Sequence, residues 1–212
     1  MLKKRLDEKE NRVRMKANER RELILSKAKQ VFARHSYRDA STSELAHESE
    51  VSEPMLYKHF GSKKGLFLQV LEQFGNRFTS NWQNHLSQSA KVEPLKALAE
   101  IGLEYRSAIK ADPDILKVFF QAIAESSDPE IAQVTRRNNQ NARAFIRQLL
   151  EQAQTEGLLD PKLNLEAATW GYMGIAYAMQ VSLMLSLDEE LDEAMLNEVN
   201  QLWLRALHSS VQ

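Results

Sequence analysis

Residues 41–64 read Ser41-Thr-Ser-Glu-Leu-Ala-His-Glu-Ser-Glu-Val-Ser-Glu-Pro-Met-Leu-Tyr-Lys-His-Phe-Gly-Ser-Lys-Lys64. Ser41 followed by Glu44 is a helix-start signature, in which each side chain satisfies a backbone N–H of the first turn. Leu45 and Ala46 are the apolar residues of that short helix, and Ser49-Glu50 breaks it. Ser52 is the next N-cap, and Pro54 falls in the first turn, where a missing N–H costs little. Leu56 and Phe60 lie four apart on one face, which leaves Tyr57, Lys58 and His59 outward. Ser62 then opens a longer helix. Two short helices joined by a tight turn, carrying a phenol, an ammonium and an imidazole and followed by Lys63-Lys64, make a surface suited to nucleic acid.

The rest of the chain agrees with an all-helical reading. Only seven Gly and five Pro interrupt 212 residues, of which 43% are hydrophobic, enough for a proper core. Cysteine is absent, which excludes disulfides and a zinc ribbon. No apolar run reaches about 18 residues and the start is charged rather than signal-like, so the expected location is the cytoplasm. The net charge of −1 hides an asymmetry. Residues 1–64 hold 16 Lys+Arg against 10 Asp+Glu, and the remainder holds 12 against 19. A basic head joined to an acidic body suggests that the head meets phosphate.

In chain order, residues 1–18 form a charged arm, expected as a frayed helix or a disordered tail, whose excess of cations can add phosphate or minor-groove contacts. From Glu19, Ile24, Ala28, Val31 and Phe32 recur with the spacing of one buried helical stripe, and Ser36 to Asp39 end that helix. After residue 62, Leu66, Val70, Leu71, Phe74, Phe78 and Trp82 mark a long helix that links head to body. Further helices are expected over about 94–110, 114–126, 129–155, 165–185 and 189–208, with Asp128-Pro129 and Asn164 as start signals. No strand or repeat is detectable. The fold class is therefore all-α, with about nine helices in a three-helix head and a helical body.

The head resembles the DNA-binding domain of the TetR family of transcriptional regulators, with an AcrR-like helix-turn-helix. The resemblance rests on Ile24, Ala28, Phe32, Tyr37, Thr42, Leu45-Ala46, Val51-Ser52, Leu56-Tyr57, His59-Phe60 and Lys63, in order and without a gap over about residues 18–75. It implies a homodimer, a palindromic double-stranded operator and a C-terminal pocket for a small-molecule effector. It also implies phosphate contacts from Thr42, Tyr57, His59 and Lys63. The residues themselves agree, since hydroxyl, imidazole and ammonium donors at helix starts favour an anion. Ser41, Ser52, Pro54, Lys58 and Lys64 complete the expected DNA face. Glu53 can accept from cytosine N4 and Met55 can touch a thymine methyl. The sequence departs from the family at Ser36 and Glu50, where glycine is favoured because the backbone tends to positive φ. Gly65 stands where a better helix former is common.

The resemblance divides the chain into the arm 1–18, a helix-turn-helix domain 19–65 and a ligand-binding and dimerisation domain 66–212. The last two helices are apolar on wide faces and suit a dimer seam of Ala168, Tyr172, Ala176, Met179, Met195, Val199, Leu202 and Ala206. Completion of the monomer core is the competing reading. Phe74, Phe78, Tyr105, Phe119, Phe120, Phe145, Trp170, Met173 and Tyr177 are candidates to line an effector pocket. Arg106, Arg136, Asn138 and Asn141 are its possible polar anchors. Aromatic stripes of this kind also serve as plain core. No cofactor, metal-ligand spacing, phosphate-binding glycine loop or nucleophile elbow is present, so the sequence gives no sign of an enzyme. A repressor is expected. An activator of the same fold and a helical protein-interaction module are the alternatives.

Overall fold

The computed structural model describes the backbone of residues 2–88 and 93–208, and the side chains of residues 17–73, 75, 80, 82 and 93–207. Among these residues there are nine helices and no strand. They are α1 (Leu2–Asp39), α2 (Thr42–Glu48), α3 (Glu53–Phe60), α4 (Lys63–Gln88), α5 (Pro94–Ala111), α6 (Asp114–Ala124), α7 (Pro129–Thr155), α8 (Leu165–Met184) and α9 (Glu193–His208). The all-α expectation holds. No helix among the described residues is long and apolar enough to cross a membrane.

Most helix starts fall where their caps predict. The Ser41 hydroxyl accepts from the Glu44 N–H at 3.1 Å, and Ser52 accepts from the Met55 N–H at 3.4 Å. Ser62 takes the Gly65 N–H at 2.9 Å, Asn164 the Ala167 N–H at 3.1 Å, and Asp128 the N–H groups of Glu130 and Ile131. Only half of the first capping pair forms, because the Glu44 carboxylate turns to His35 Nε2 at 2.9 Å instead of its own helix start. Two boundaries differ from expectation. Helix α1 begins at Leu2, because residues 2–18 lack Gly and Pro and are rich in good helix formers. Helix α9 starts later than expected, at Glu193, because Asp192 caps it through the Met195 N–H at 2.8 Å.

The chain divides into two compact units. The first comprises Met1–Gln73 and Val118–Ala132, and the second Phe74–Lys117 and Gln133–Gln212. In the first, Ile24, Ala28, Val31 and Phe32 of α1 are fully buried, as are Leu45, Leu56, Leu66 and Phe67. Phe32 meets Phe67 edge-on at 5.0 Å, and Tyr37 lies 4.6 Å from Phe67. Leu56 and Phe60 are the buried residues of α3. The core of the second unit includes Leu98, Ile101, Phe145, Leu149, Leu150 and Tyr172, with the Tyr172 hydroxyl donating to the Leu98 carbonyl at 2.7 Å.

The two departures at glycine-favouring positions keep the unusual backbone. Ser36 has φ 67 and ψ 164, and Glu50 has φ 55. The Ser36 region is almost exclusive to glycine, and its hydroxyl compensates in part by bonding Asp39. Gly65, in contrast, is demanded by close approach: a Cβ there would stand 2.0 Å from the Phe60 carbonyl oxygen. Ser36→Gly and Glu50→Gly should therefore each raise unfolding free energy by about 1 kcal/mol. Gly65→Ala should lower it by about 1–3 kcal/mol. Urea titrations of the three variants beside the parent protein check both signs.

Candidate nucleic-acid interface

Helices α2 and α3 have seven and eight residues, with the turn between them carried by Glu50 in its left-handed conformation. The Val51 N–H reaches back to the Ala46 carbonyl at 3.0 Å and closes that turn. Helix α3 ends at Gly61, whose φ of 74 lets its N–H return to the Tyr57 carbonyl. Burying Leu56 and Phe60 fixes the rotation of α3. Tyr57 is left 43% exposed, Pro54 and Lys58 are exposed, and Glu53, Met55 and His59 are half-buried. Of the α2 candidates, Ser41 is exposed and Thr42 is half-buried. The Thr42 hydroxyl donates to Glu53 Oε2 at 3.3 Å, which brings together a residue expected on phosphate and one expected on a base edge.

The two lysines at the start of α4 are already engaged inside the protein. Lys63 Nζ donates to the carbonyls of Arg38 at 3.0 Å and Ala40 at 2.9 Å, and lies 5.2 Å from the centre of the Tyr37 ring. It ties the end of α1 to the start of α4. Lys64 Nζ pairs with Asp128 at 3.2 Å and Glu130 at 2.5 Å. Hydrogen bonds to Glu130 and Asp128 hold the Lys64 ammonium above its usual range. Phosphate contacts from these two lysines require exchange of those partners. Lys58 carries no such tether and is open to solvent.

Nothing in the local sequence announced the acidic partners of the head. Arg38 donates a forked pair of hydrogen bonds to Glu125, at 2.6 and 2.9 Å, and these raise its already high pKa. Gln121 donates to the Phe32 carbonyl at 2.8 Å. The pairs join positions more than 60 residues apart, so no periodicity or spacing signals them. Sign alternation on a helix face is the only hint a sequence offers.

The body redistributes the expected pocket and seam residues. Ala168, Tyr172 and Met179, expected at a subunit seam, are buried within the chain itself, since the Tyr172 hydroxyl finds an internal acceptor. Trp170, expected in a pocket, is 47% exposed with the Arg143 guanidinium 4.1 Å over its ring. On α8 the seam candidates Ala168, Tyr172 and Met179 thus face inward together with the pocket candidate Met173, while the pocket candidate Trp170 faces outward. Met195, Leu202 and Ala206 are exposed, while Ala176 and Val199 are half-buried. Phe145 is plain core beside Leu98 and Leu149, and Met173 is buried. Tyr105 accepts from Gln180 Nε2 at 2.8 Å, and burial pushes its phenol well above the usual range. Tyr177 accepts from Asn139. Phe119 and Phe120 stack edge-on at 5.9 Å in the first unit. Arg136 and Asn141 are exposed, and Asn138 packs on Gly75. The side chains of Phe74 and Phe78, and of residues 1–16 in the arm, lie outside the described residues.

Residues 24–70, which contain this helix-turn-helix, match the family described as bacterial regulatory proteins, tetR family. The head of the chain is thus similar to the DNA-binding region of that family. A similar protein is the HTH-type transcriptional activator FasR of Mycolicibacterium smegmatis, 39% identical over 67 residues that span 32% of this chain and 31% of FasR. The probable acrEF/envCD operon repressor of Escherichia coli is 25% identical over 160 residues, spanning 73% and 71% of the two chains. The first curated relatives are matched over only about a third of their own length. In fold, the chain resembles the regulator FadR of Bacillus subtilis in complex with stearoyl-CoA. That likeness has a TM-score of 0.73 over 90% of this chain and 98% of FadR, at 16% identity. The described residues thus combine an N-terminal helix-turn-helix with a helical C-terminal region. Among its described residues no cluster of His, Asp or Glu could hold a metal ion.

Lys63→Ala should lower unfolding free energy by about 1.5–3 kcal/mol, because two charge-assisted hydrogen bonds are lost. A denaturant titration checks this, and any loss of DNA affinity in that variant must be read against it. Asp128 is also a pH reporter. Burial raises its pKa, but N–H groups of Ile131 and Glu130 and the Lys64 ammonium outweigh this and hold it below its ordinary 3.8. A depressed carboxylate pKa contributes stability above the unfolded value and loses it as pH falls through the folded one. Asp128→Asn should therefore flatten the acid limb of the melting-temperature profile below about pH 4 and leave its shape at neutral pH unchanged.

Proposed function

We propose that this regulator is a ligand-responsive repressor that binds a palindromic operator as a homodimer, with residues 19–65 of each copy on DNA. The observation that carries the reading is the α2–α3 face, where burial of Leu56 and Phe60 turns Tyr57 and Lys58 outward in a TetR-family head. On this reading α3 enters the major groove. Ser41, Thr42, Ser52, Tyr57, Lys58 and His59 position it on phosphate, and Lys63 and Lys64 join them by exchanging partners. Glu53, released from Thr42, and the neighbouring Pro54 and Met55 meet base edges.

Residues 66–212 supply dimerisation and effector binding. The apolar face that α8 leaves uncovered carries Trp170, Val181 and Met184, and α9 adds Met195 and Leu202, the last 60% exposed. A face of this composition suits a second copy of itself, so each subunit gives two helices to the seam. The fold neighbour with stearoyl-CoA supports a hydrophobic or amphipathic effector. Such an effector would favour a spacing of the two recognition helices other than the roughly 34–36 Å of adjacent major grooves. The similarity of the head to the activator FasR favours a second reading, activation from the same fold. A reporter driven by the bound promoter separates the two by the sign of its response.

Genomic footprinting is the direct test, since it either recovers paired half-sites or leaves the operator reading without support. Trp170→Glu with Leu202→Glu should convert the dimer to monomer in analytical ultracentrifugation and weaken operator binding. Tyr57→Phe should weaken it by roughly fivefold to tenfold, the worth of one hydrogen bond. Affinity should fall with salt at about 0.9 log units per phosphate contact per log of concentration. A flat salt response would favour a protein-interaction module instead.

A further inference from the structure

Among the described residues of the second unit, four polar atoms are buried without a hydrogen-bond partner: Arg106 Nε on α5, Arg143 Nε on α7, and both Nδ2 and Oδ1 of Asn200 on α9. Arg106 is 8% exposed and Asn200 only 3%. The guanidinium meets one group, the Asp188 carbonyl, at 3.1 Å from Nη2, while the Asp188 carboxylate is held by Lys110 at 2.9 Å. The Arg106 charge also acts on that carboxylate, but its Nε–H is left without an acceptor. A buried orphan N–H or amide is costly and calls for an explanation, and completion by a ligand is one.

A Cβ added at Gly102 would stand 3.3 Å from Asn200 Nδ2 and 3.5 Å from the Tyr172 hydroxyl, so the Asn200 amide faces α5 at Gly102. Arg106 lies one helical turn further along the same face of α5, which puts the two polar side chains on one side of that helix. Leu98 and Leu196, one turn before Gly102 and Asn200 on their helices, are both buried.

The unmet inventory of Arg106 and Asn200 is two donor nitrogens, with three N–H groups between them, and one acceptor oxygen. We infer that Arg106 and Asn200 anchor the head of the effector, and that this head is a hydroxy acid. Its carboxylate accepts from Arg106 Nε and Asn200 Nδ2, and its hydroxyl donates to Asn200 Oδ1. The hydrocarbon part lies among the apolar side chains of the body. The inference rests on the effector-responsive reading above and names the ligand class for it.

The test is calorimetric titration of the full-length protein with matched straight-chain series, hydroxy acids, plain acids, alcohols and amines, from lactate to hydroxypalmitate in length. Binding is expected to rank hydroxy acid over acid over alcohol at equal length. Arg106→Met should weaken the acids roughly tenfold or more while leaving the alcohols unchanged. Asn200→Leu removes the orphan amide, so it should raise the melting temperature of the ligand-free protein by roughly 2–4 °C and abolish the preference for the hydroxy acid. Lys162→Gln, at an exposed position in the loop before α8, should change nothing. Alcohols or amines that bind as tightly as acids overturn the inference and leave the effector reading standing. Acid binding that survives both Arg106→Met and Asn200→Leu overturns it in the same way. A loss of ligand-free stability in Asn200→Leu also overturns it, since the amide would then be structural. Failure of every class to bind overturns the inference and the effector reading together.

Discussion

Helices of seven and eight residues do not persist alone in water, because the cost of nucleating a turn is recovered only over a dozen or more residues. α2 and α3 exist because Leu45, Leu56 and Phe60 are buried in the head and because Ser41, Ser52 and Gly61 satisfy their ends. The rest of the head serves this constraint. Phe32, Tyr37 and Phe67 form the aromatic floor, and Lys63 draws the carbonyls that end α1 onto the start of α4. Once the buried face of α3 is fixed, so is the face it offers outward. The exposure of Tyr57 and Lys58 is a consequence of burying Leu56 and Phe60.

The basic character of the head is less available than its charge count implies. Arg38, Lys63 and Lys64 all have partners within the protein, and two of the three are held by carboxylates of residues 125–130. Carboxylates that occupy cations resemble phosphates, so on the proposed reading the lysines serve stability in the free protein and recognition on DNA. These pairs lie near the surface, where water and salt weaken them, which keeps such an exchange within reach.

In the body, α8 shows how one hydroxyl can orient a helix. Both of its stripes are apolar, and hydrophobicity alone does not choose between them. Tyr172 finds the Leu98 carbonyl inside the unit and Trp203 beside its ring, so its stripe turns inward. Trp170 is left outside under Arg143. The other side of α8, with Leu202 and Met195 on α9, is then left apolar and exposed. Polar residues on the inward side, Arg106 and Asn200 above all, bring unmet hydrogen-bonding capacity into an otherwise apolar interior.

Local chemistry made much of this molecule legible. Caps at Ser41, Ser52, Ser62, Asp128 and Asn164, the stripe from Ile24 to Phe32, and the scarcity of Gly and Pro specify helices whatever surrounds them, because their causes lie within a few residues. The positive φ at Ser36 and Glu50 was legible for the same reason, through the family pattern at those positions. The sequence could not choose between the stripes of α8, assign partners to Lys64 and Arg38, or expose the need for Gly65 beneath the Phe60 carbonyl. Each of these depends on which distant group arrives at a side chain. By itself the sequence determined an all-helical chain with a helix-turn-helix head. Tertiary structure alone decided which residues that head keeps for itself and which it presents, because burial and long-range pairing are settled only when the helices meet.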